Sequence, residues 1–340
     1  SEACRPVLGN KVDGLAGKLI DLIAVFALLA GTATTFSLAT PLLAGAISSV
    51  TSIPQSTGLT LVILVIVCAI YTFSVYFGMK GVQLSAATCT WLFFGLLAYV
   101  FFFGGQTRFI IEEGITALGN MTQNFIGLAT WTDSLRTSSF PQTWTIFYWA
   151  YWMVWCVAVP FFIGSISKGR TLRQVILGGY VFGLSGTFTS FIIMGNYGLG
   201  LQMHGKLDVL SSYAADGNLY HAILDILGQL PLSKAVLVLL VLCMIPFSST
   251  SFDSITMVAS TYTYKKLQSD EEPHRNVKLF WAIFLILLPL ALIFSENSMS
   301  NLQTVSIIAA FPVGIIMLLI ISSFFKDADA YLKEQANPPE

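Results

Sequence analysis

A run of aromatic residues is the first feature of the sequence that could hold a ligand. Residues 143–156 read TWTIFYWAYWMVWC, with four tryptophans, two tyrosines and no charged side chain. On a helix, which turns by about 100° per residue, Trp144, Tyr148, Tyr151 and Trp155 fall within about 60° of one another. Trp152 flanks this stripe. Trp155 lies about 16 Å deeper along the helix axis than Trp144, beyond the depth at which interfacial aromatic residues collect.

Aromatic faces in a dry site suit a cation that has no hydrogen-bond donors. A quaternary ammonium group over a Trp face gains about 2 kcal/mol or more once water is excluded. An interfacial aromatic belt combined with ordinary packing is the alternative, although Phe or Leu would pack as well without an N–H to satisfy. The aromatic residues by themselves leave both interpretations open.

A second cluster, PFSSTSFDS at 246–254, combines hydroxyl groups with a carboxylate. Four successive hydroxyl residues follow Pro246, a residue that tends to break helices, and Asp253 comes next. Hydroxyl and carbonyl oxygens of a broken helix can bind a hard cation such as Na⁺. Ser and Thr in membrane helices also bond backbone groups that a proline frees, and the residue types alone favour that structural interpretation.

Eight apolar stretches are available to position these residues, each near the length of about 20 residues that crosses a bilayer. Hydrophobic residues make up 55% of the 340 residues and charged residues only 10%, which excludes an ordinary soluble domain. We therefore predict an all-α, polytopic membrane helical bundle, 1–340, as a single transmembrane domain. The predicted spans are approximately 19–47, 58–77, 84–103, 144–165, 173–194, 235–259, 279–294 and 303–325.

The distribution of basic residues predicts the orientation of this bundle. With eight spans, thirteen of the 17 Lys and Arg residues fall on one side, and only Arg108, Arg136, Lys206 and Lys234 fall on the other. Because Lys and Arg are in excess on the cytoplasmic side, both termini are predicted to be cytoplasmic. The segment near 107–127 has helix-like apolar spacing between charges, which is typical of an interfacial helix.

Several function classes lack the residues they need. No basic patch favours a nucleic-acid partner, and the cysteines show no metal-ligand spacing. An intramembrane enzyme needs a nucleophile–base pair or a metal cluster, and the three histidines all fall in predicted loops. We therefore predict a protein that is not an enzyme and has no cofactor other than a coupling ion. A cation-binding aromatic pocket would serve a transporter, a channel or a non-transporting receptor, and only the stoichiometry of flux separates them.

The aromatic segment also carries a resemblance to a known family. WTIFYWAYWMVWCVAVPFFIGSISKGRTLRQ is similar to the signature helix of the betaine/choline/carnitine transporters and the basic loop that follows it. GMKGVQLS, FSSTSFDSITMVAST and FPVGIIMLLIISSFFKDA resemble further family segments in the same order. The resemblance implies secondary transport of a quaternary-ammonium compound (glycine betaine, carnitine or choline), a homotrimer, and the bacterial cytoplasmic membrane.

The family fold has twelve spanning helices, ten of which form a five-plus-five inverted repeat, as in amino-acid–sodium symporters. This chain resembles the last eight. It is therefore expected to be a fragment that does not transport by itself.

The resemblance also implies roles for individual residues. Trp152 matches the central tryptophan of the family's aromatic box, Tyr151 stands where many members have a second Trp, and Trp155 matches the aromatic residue one turn further in. Tyr148 completes the predicted substrate-binding set. The hydroxyl of Tyr151 is expected to be able to reach a substrate carboxylate.

The same resemblance places the coupling sodium on Thr250 and Ser251, with Phe247 contributing to the site. Asp253 matches a family pattern and is expected to orient its neighbours. Thr32 matches a threonine of a second sodium site, which is not expected to be complete here. Sodium-independent exchangers of the family have an Arg in the helix that spans 84–103, where this sequence has no basic residue. This favours Na⁺ symport, with proton coupling or sodium-independent exchange as the alternative.

Overall fold

The computed structural model describes residues 1–76, 79–138, 140–216, 218–264, 271–293 and 298–336. Throughout these ranges the regular structure is helical and no strand is present. Helices satisfy every backbone hydrogen bond within one segment, which is what an apolar chain in lipid requires. The α-helices are α1 Arg5–Leu8, α2 Leu15–Thr51, α3 Thr57–Tyr76, α4 Met79–Phe103, α5 Thr107–Gln123, α6 Phe125–Thr130, α7 Ile146–Trp155, α8 Val159–Ile166, α9 Leu172–Ser190, α10 Asn196–Met203, α11 Val209–Asp216, α12 Leu219–Gly228, α13 Ser233–Thr261, α14 Arg275–Ile293 and α15 Ser298–Ala336.

Within the described ranges, two 3₁₀ turns and two π-helical turns complete the regular structure. The 3₁₀ turns are Glu2–Cys4 and Gly9–Asp13. The π turns are Pro141–Thr145, which leads into α7, and Phe191–Gly195, which joins α9 to α10. Because the second π turn does not interrupt the helical path, α9 and α10 form one rod, Leu172–Met203. This rod extends past residue 194, where the predicted span ends.

Helix α2 is the central element of the bundle. It packs against α7, α13, α14 and α15, and small buried residues along it allow these helices to approach closely. A side chain in place of Gly31 would begin 3.1 Å from Cγ1 of Val154 on α7. On another face of α2, the hydroxyls of Thr34 and Ser306 are 2.7 Å apart and join α2 to α15.

The aromatic segment is not one continuous helix, contrary to the single stretch 144–165 expected from its hydropathy. Helix α7 ends at Trp155 and α8 begins at Val159. Pro160 explains the break, because it has no N–H and its ring clashes with the carbonyl four residues earlier, that of Cys156. The hydroxyl of Tyr262, just after α13, donates to the carbonyl of Val157 at 3.4 Å and ties the break to the neighbouring helix.

Helix α13, by contrast, continues through its proline. A broken helix was expected at Pro246, yet Ser233–Thr261 forms one helix of 29 residues. It packs against α2, α3, α4 and α14. Contacts on several sides hold the segment in a helical path despite the missing amide hydrogen of Pro246.

Six described helices are long and apolar enough to cross a membrane: Leu15–Thr51, Thr57–Tyr76, Gln83–Phe103, Leu172–Met203, Ser233–Thr261 and Thr304–Ala336. The predicted span 144–165 corresponds to the α7–α8 pair, each of which is short. The predicted span 279–294 falls on α14, and its last residue lies outside the described residues, as do Lys265 and Lys266. Helix α5 occupies most of the predicted interfacial segment, and its position at a membrane surface stays a prediction.

Candidate functional site

Tyr151 lies at the centre of the aromatic cluster on α7. Its ring centroid is 6.2 Å from that of Trp152 and 6.0 Å from that of Trp155, with interplanar angles of 70° and 79°. Aromatic pairs prefer such edge-to-face geometry because the positive edge of one ring meets the negative face of another. Each tryptophan ring therefore stands steeply against the ring of Tyr151, and we call these three rings the aromatic corner.

A hydroxyl pair holds Tyr151 against α2. The hydroxyl oxygens of Tyr151 and Thr35 are 2.7 Å apart, and Thr35 also donates to the carbonyl of Gly31 at 3.0 Å. A threonine hydroxyl has one proton, so Tyr151 is the donor in this pair. In the structure the hydroxyl of Tyr151, which was predicted to reach a substrate carboxylate, is hydrogen-bonded to Thr35 instead. Thr35 was missed by sequence reasoning, although the hydroxyl-rich run GTATTFS that contains it was visible.

The four predicted substrate-binding residues divide into two pairs. Tyr151 and Trp155 are half-buried against α2, whereas 62% of Trp152 and 45% of Tyr148 is exposed. Tyr148 packs on Trp144 and Phe147, at centroid distances of 6.3 and 5.8 Å. The structure thus brings one pair into the bundle and leaves the other pair on its surface.

Trp155 connects the aromatic corner to the rest of the bundle. It packs on a buried cluster that contains Leu28 of α2, Ala158 at the break and Ile255 of α13. Just before the break, the thiol of Cys156 lies 3.5 Å from the carbonyl oxygen of Trp152. The end of α7, Pro160 and Trp155 are therefore neighbours in the structure, and the packing of Trp155 holds the helix break in place.

The hydroxyl residues of α13 bond their own helix. Thr250 donates its hydroxyl proton to the carbonyl of Phe247 at 3.0 Å, and Ser249 donates to the carbonyl of Ile245 at 3.0 Å. A hydroxyl that donates in this way keeps lone pairs for a cation. Thr250 and Ser251 are half-buried, whereas 54% of Phe247 is exposed and its ring lies 6.1 Å from that of Phe93.

Asp253, one turn further along α13, is completely buried. Its Oδ2 accepts a hydrogen bond of 2.9 Å from Ser74 of α3, and its Oδ1 has no hydrogen-bond partner among the described residues. The hydroxyl of Thr256, on the same face of the helix, is also buried without a partner there. Ser74 was not predicted from the sequence, because no local pattern marks a residue that meets Asp253 only after folding.

Thr32 lies apart from these polar groups. It is completely buried, and its hydroxyl donates to the carbonyl of Leu28 at 2.6 Å. Across the described part of the chain, no three His, Cys, Asp or Glu side chains are grouped so that they could hold a metal ion. A cation at α13 would therefore need hydroxyl or carbonyl oxygens in addition to any carboxylate.

Comparison with known proteins identifies the kind of bundle that carries these residues. Residues 1–333 match the family described as BCCT, betaine/carnitine/choline family transporter. The chain belongs to the betaine/carnitine/choline transporter family. This membership confirms the all-α polytopic membrane fold and the prediction that the protein is not an enzyme.

Individual members of the betaine/carnitine/choline family match almost the whole chain. A carnitine transporter of Acinetobacter baumannii is 29% identical over 92% of this chain and 57% of its own length. A probable glycine betaine transporter of Desulfitobacterium hafniense is 30% identical over 96% of this chain and 64% of its own. The glycine betaine transporter OpuD of Bacillus subtilis is 30% identical over 98% and 64%. This chain therefore spans somewhat less than two thirds of the length of these relatives.

Proposed function

We propose that this protein serves secondary active transport of a quaternary-ammonium compound (glycine betaine, carnitine or choline) across a bacterial cytoplasmic membrane, by Na⁺-coupled symport. The aromatic corner on α7 is the observation that carries the proposal. Its two inner rings, Tyr151 and Trp155, lie against α2 immediately before a helix break, where the helical hydrogen-bond pattern is interrupted. Family membership and the names of the relatives support the same substrate class.

The chemistry of the corner explains this choice of substrate. A trimethylammonium group has no N–H to donate, so hydrogen-bonding side chains give it little, whereas aromatic faces within about 6 Å attract it. The rings of Trp152 and Trp155 lie 6.2 and 6.0 Å from the ring of Tyr151, at angles of 70° and 79° to it. A compact cation bound at these rings would meet aromatic faces, while the tyrosine stays held by Thr35.

Sodium coupling through Thr250 and Ser251 is the finer part of the proposal. Sodium is a hard cation and prefers several oxygen ligands. The hydroxyl of Thr250 donates its proton to the Phe247 carbonyl, so the lone pairs of its oxygen can bind a cation. The ion would lie on α13, which packs directly on α2. Helix α2 also contacts the aromatic corner of α7.

Proton coupling is the second candidate, and one observation favours it. Asp253 is completely buried with one carboxylate oxygen unpartnered among the described residues. A carboxylate in such a place is costly when charged, and intramembrane ionisable residues commonly belong to proton pathways. Asp253 would then take up a proton from one side and release it to the other.

Uptake into proteoliposomes, measured with the full-length protein, distinguishes these possibilities. Radiolabelled glycine betaine, carnitine and choline are offered with an inward Na⁺ gradient, an inward proton gradient, or neither. We expect uphill accumulation of at least one substrate only with the Na⁺ gradient. Uptake that ignores Na⁺ and follows the proton gradient supports Asp253, and flux that merely equilibrates the substrate indicates a channel.

Orientation and assembly are parts of the same proposal. Both termini are placed in the cytoplasm and the protein is placed in a homotrimer. Single cysteines introduced in the loop 167–171 should react with a membrane-impermeant maleimide only in inside-out vesicles. Labelling of this loop from the outside would reverse the orientation, and a monomer by light scattering in mild detergent would count against the trimer.

A further inference from the structure

A groove lies on the outside of the bundle, between α3 and α14. None of the residues that line it belongs to the aromatic corner or to the hydroxyl residues of α13. Its volume is about 530 Å³, within the range of about 300–1,000 Å³ that is typical of ligand pockets. Val65, Ala69, Thr72 and Phe73 of α3 line it, and Ile286 of α14 forms the other wall.

The concavity follows from the order of side-chain sizes along α3. Residues 65, 69, 72, 73 and 76 recur at helical spacing and form one stripe. Ala69 and Thr72 are small, whereas Val65 and Phe73 are large and more than half exposed. The small residues therefore form the floor of the groove, and the large ones form parts of its rim. An apolar channel that runs along a helix suits a flexible hydrocarbon chain.

The groove has a charged end. The guanidinium of Arg275, at the start of α14, lies 5.1 Å from the ring centroid of Tyr76, at the end of α3. Tyr76 also lines the groove, so this cation–π contact fixes the positive charge at its mouth. Lys278, one turn further along α14, is instead buried and paired with Glu272 at 2.9 Å. The two basic residues thus differ. The charged group of Arg275 lies over an aromatic ring at the groove, whereas the charged group of Lys278 is paired with a carboxylate.

We propose that this groove binds an anionic glycerophospholipid, with an acyl chain along α3 and the phosphate on Arg275. The positions agree with the geometry of a bilayer, because Tyr76 and Arg275 both stand at helix ends, where headgroups lie, and the apolar stripe extends from there into the membrane. Basic residues beside grooves between membrane helices are suited to anionic headgroups. A soluble anion would use Arg275 but not the apolar groove, and a neutral hydrocarbon would use the groove but not Arg275.

Lipid retention by the purified protein tests this proposal. Protein in mild detergent is mixed with phosphatidylglycerol or with phosphatidylcholine of the same acyl chains, and bound lipid is counted by native mass spectrometry. We expect preferential retention of phosphatidylglycerol. Arg275→Gln should reduce phosphatidylglycerol binding about fivefold, which at about 1.4 kcal/mol per decade corresponds to about 1 kcal/mol. Ala69→Trp, which fills the floor, should reduce the binding of both lipids.

Matched variants separate these effects from general damage to the protein. Arg173→Gln removes an exposed basic residue from the first turn of α9, and Ala87→Phe enlarges an exposed alanine of α4, so both should leave lipid retention unchanged. Glycerol 3-phosphate alone should not compete, because it lacks the acyl chains. Equal retention of the two lipids, an Arg275→Gln effect no larger than that of Arg173→Gln, or competition by glycerol 3-phosphate would overturn the proposal.

Discussion

The aromatic stretch of α7 and the polar stretch of α13 differ in how each is held in the bundle. On α7, Tyr148 and Trp152 are exposed, whereas Tyr151 and Trp155 contact α2 through the hydroxyl of Thr35 and the side chain of Leu28. On α13, Phe252 and Asp253 are completely buried, and the helix packs against neighbours on several sides. Two of the four candidate residues on α7 therefore lie at the surface of the described bundle, whereas on α13 only Phe247 does.

The two helices differ because aromatic rings and polar groups need different surroundings in a membrane protein. Aromatic rings tolerate apolar or partly exposed surroundings, so they can be presented to a ligand with few contacts. Hydroxyl and carboxylate groups in a membrane must find partners within the protein, so they are surrounded by other helices. Substitutions on α7 should therefore change ligand binding more than stability, while substitutions at the centre of α13 should also change stability.

The largest effect is expected on stability, from Phe252→Ala. The Phe252 ring stacks on Phe36 at a centroid distance of 3.7 Å and also meets Tyr71, so its removal leaves a cavity between three helices. We expect a loss of about 2–3 kcal/mol, less than in a soluble core because lipid is as apolar as the site. Thermal unfolding of the purified protein measures it, with Trp152→Ala as the comparison. Equal destabilisation by the two variants would contradict the contrast between α7 and α13.

Trp152→Ala is expected to have the next largest effect, on substrate binding. Loss of one aromatic wall should cost about 2 kcal/mol, or about thirtyfold in affinity for a trimethylammonium compound, and saturable uptake by the complete transporter should be lost. Trp149→Ala is the matched control, because it removes an equally exposed tryptophan from the same helix. Isothermal titration with glycine betaine, carnitine and choline gives the affinities. Binding within twofold of the unmodified protein would show that Trp152 is not part of the site.

Thr250→Ala and Ser251→Ala should each raise the Na⁺ concentration for half-maximal uptake by the complete transporter about tenfold or more. A lost hydrogen-bonding group at a charge costs on the order of 1.5–3 kcal/mol, and about 1.4 kcal/mol corresponds to a factor of ten. Substrate affinity at saturating Na⁺ should change much less, because the aromatic corner is untouched. Ser249→Ala, which removes a neighbouring hydroxyl bonded to Ile245, serves as the control. Sodium curves that coincide for all three variants would remove Thr250 and Ser251 from the coupling site.

The smallest effect is expected from the hydroxyl pair between the aromatic corner and α2. Tyr151→Phe and Thr35→Val each remove one side of the 2.7 Å hydroxyl pair. In a double-mutant cycle on substrate affinity or thermal stability we expect a coupling of about 0.6–1 kcal/mol, as for other hydrogen bonds between membrane helices. If Tyr151 bound a substrate carboxylate instead, Tyr151→Phe would weaken binding by the same factor whether or not Thr35 is present.

Much of the fold could be predicted because its signals are local. Apolar runs long enough to cross a bilayer marked α2, α3, α4 and α13 to within several residues, since the length of a spanning helix is set by the thickness of the membrane. The break before Pro160 was equally local but was missed. Hydropathy does not depend on whether a residue has an amide hydrogen. Pro160 itself was the signal for the break, because proline cannot continue the hydrogen bonds of a helix.

The sequence by itself determined the family and the residue types that could bind a cation, because aromatic and hydroxyl side chains carry their chemistry wherever they lie. Tertiary structure alone decided which of them meet. It placed Thr35 on Tyr151, Ser74 on Asp253 and Arg275 over Tyr76. Each of these pairs joins two different helices. Nothing in the local sequence specifies such contacts, since they depend on how far each helix rotates and slides until its apolar surface is packed and its polar groups find partners.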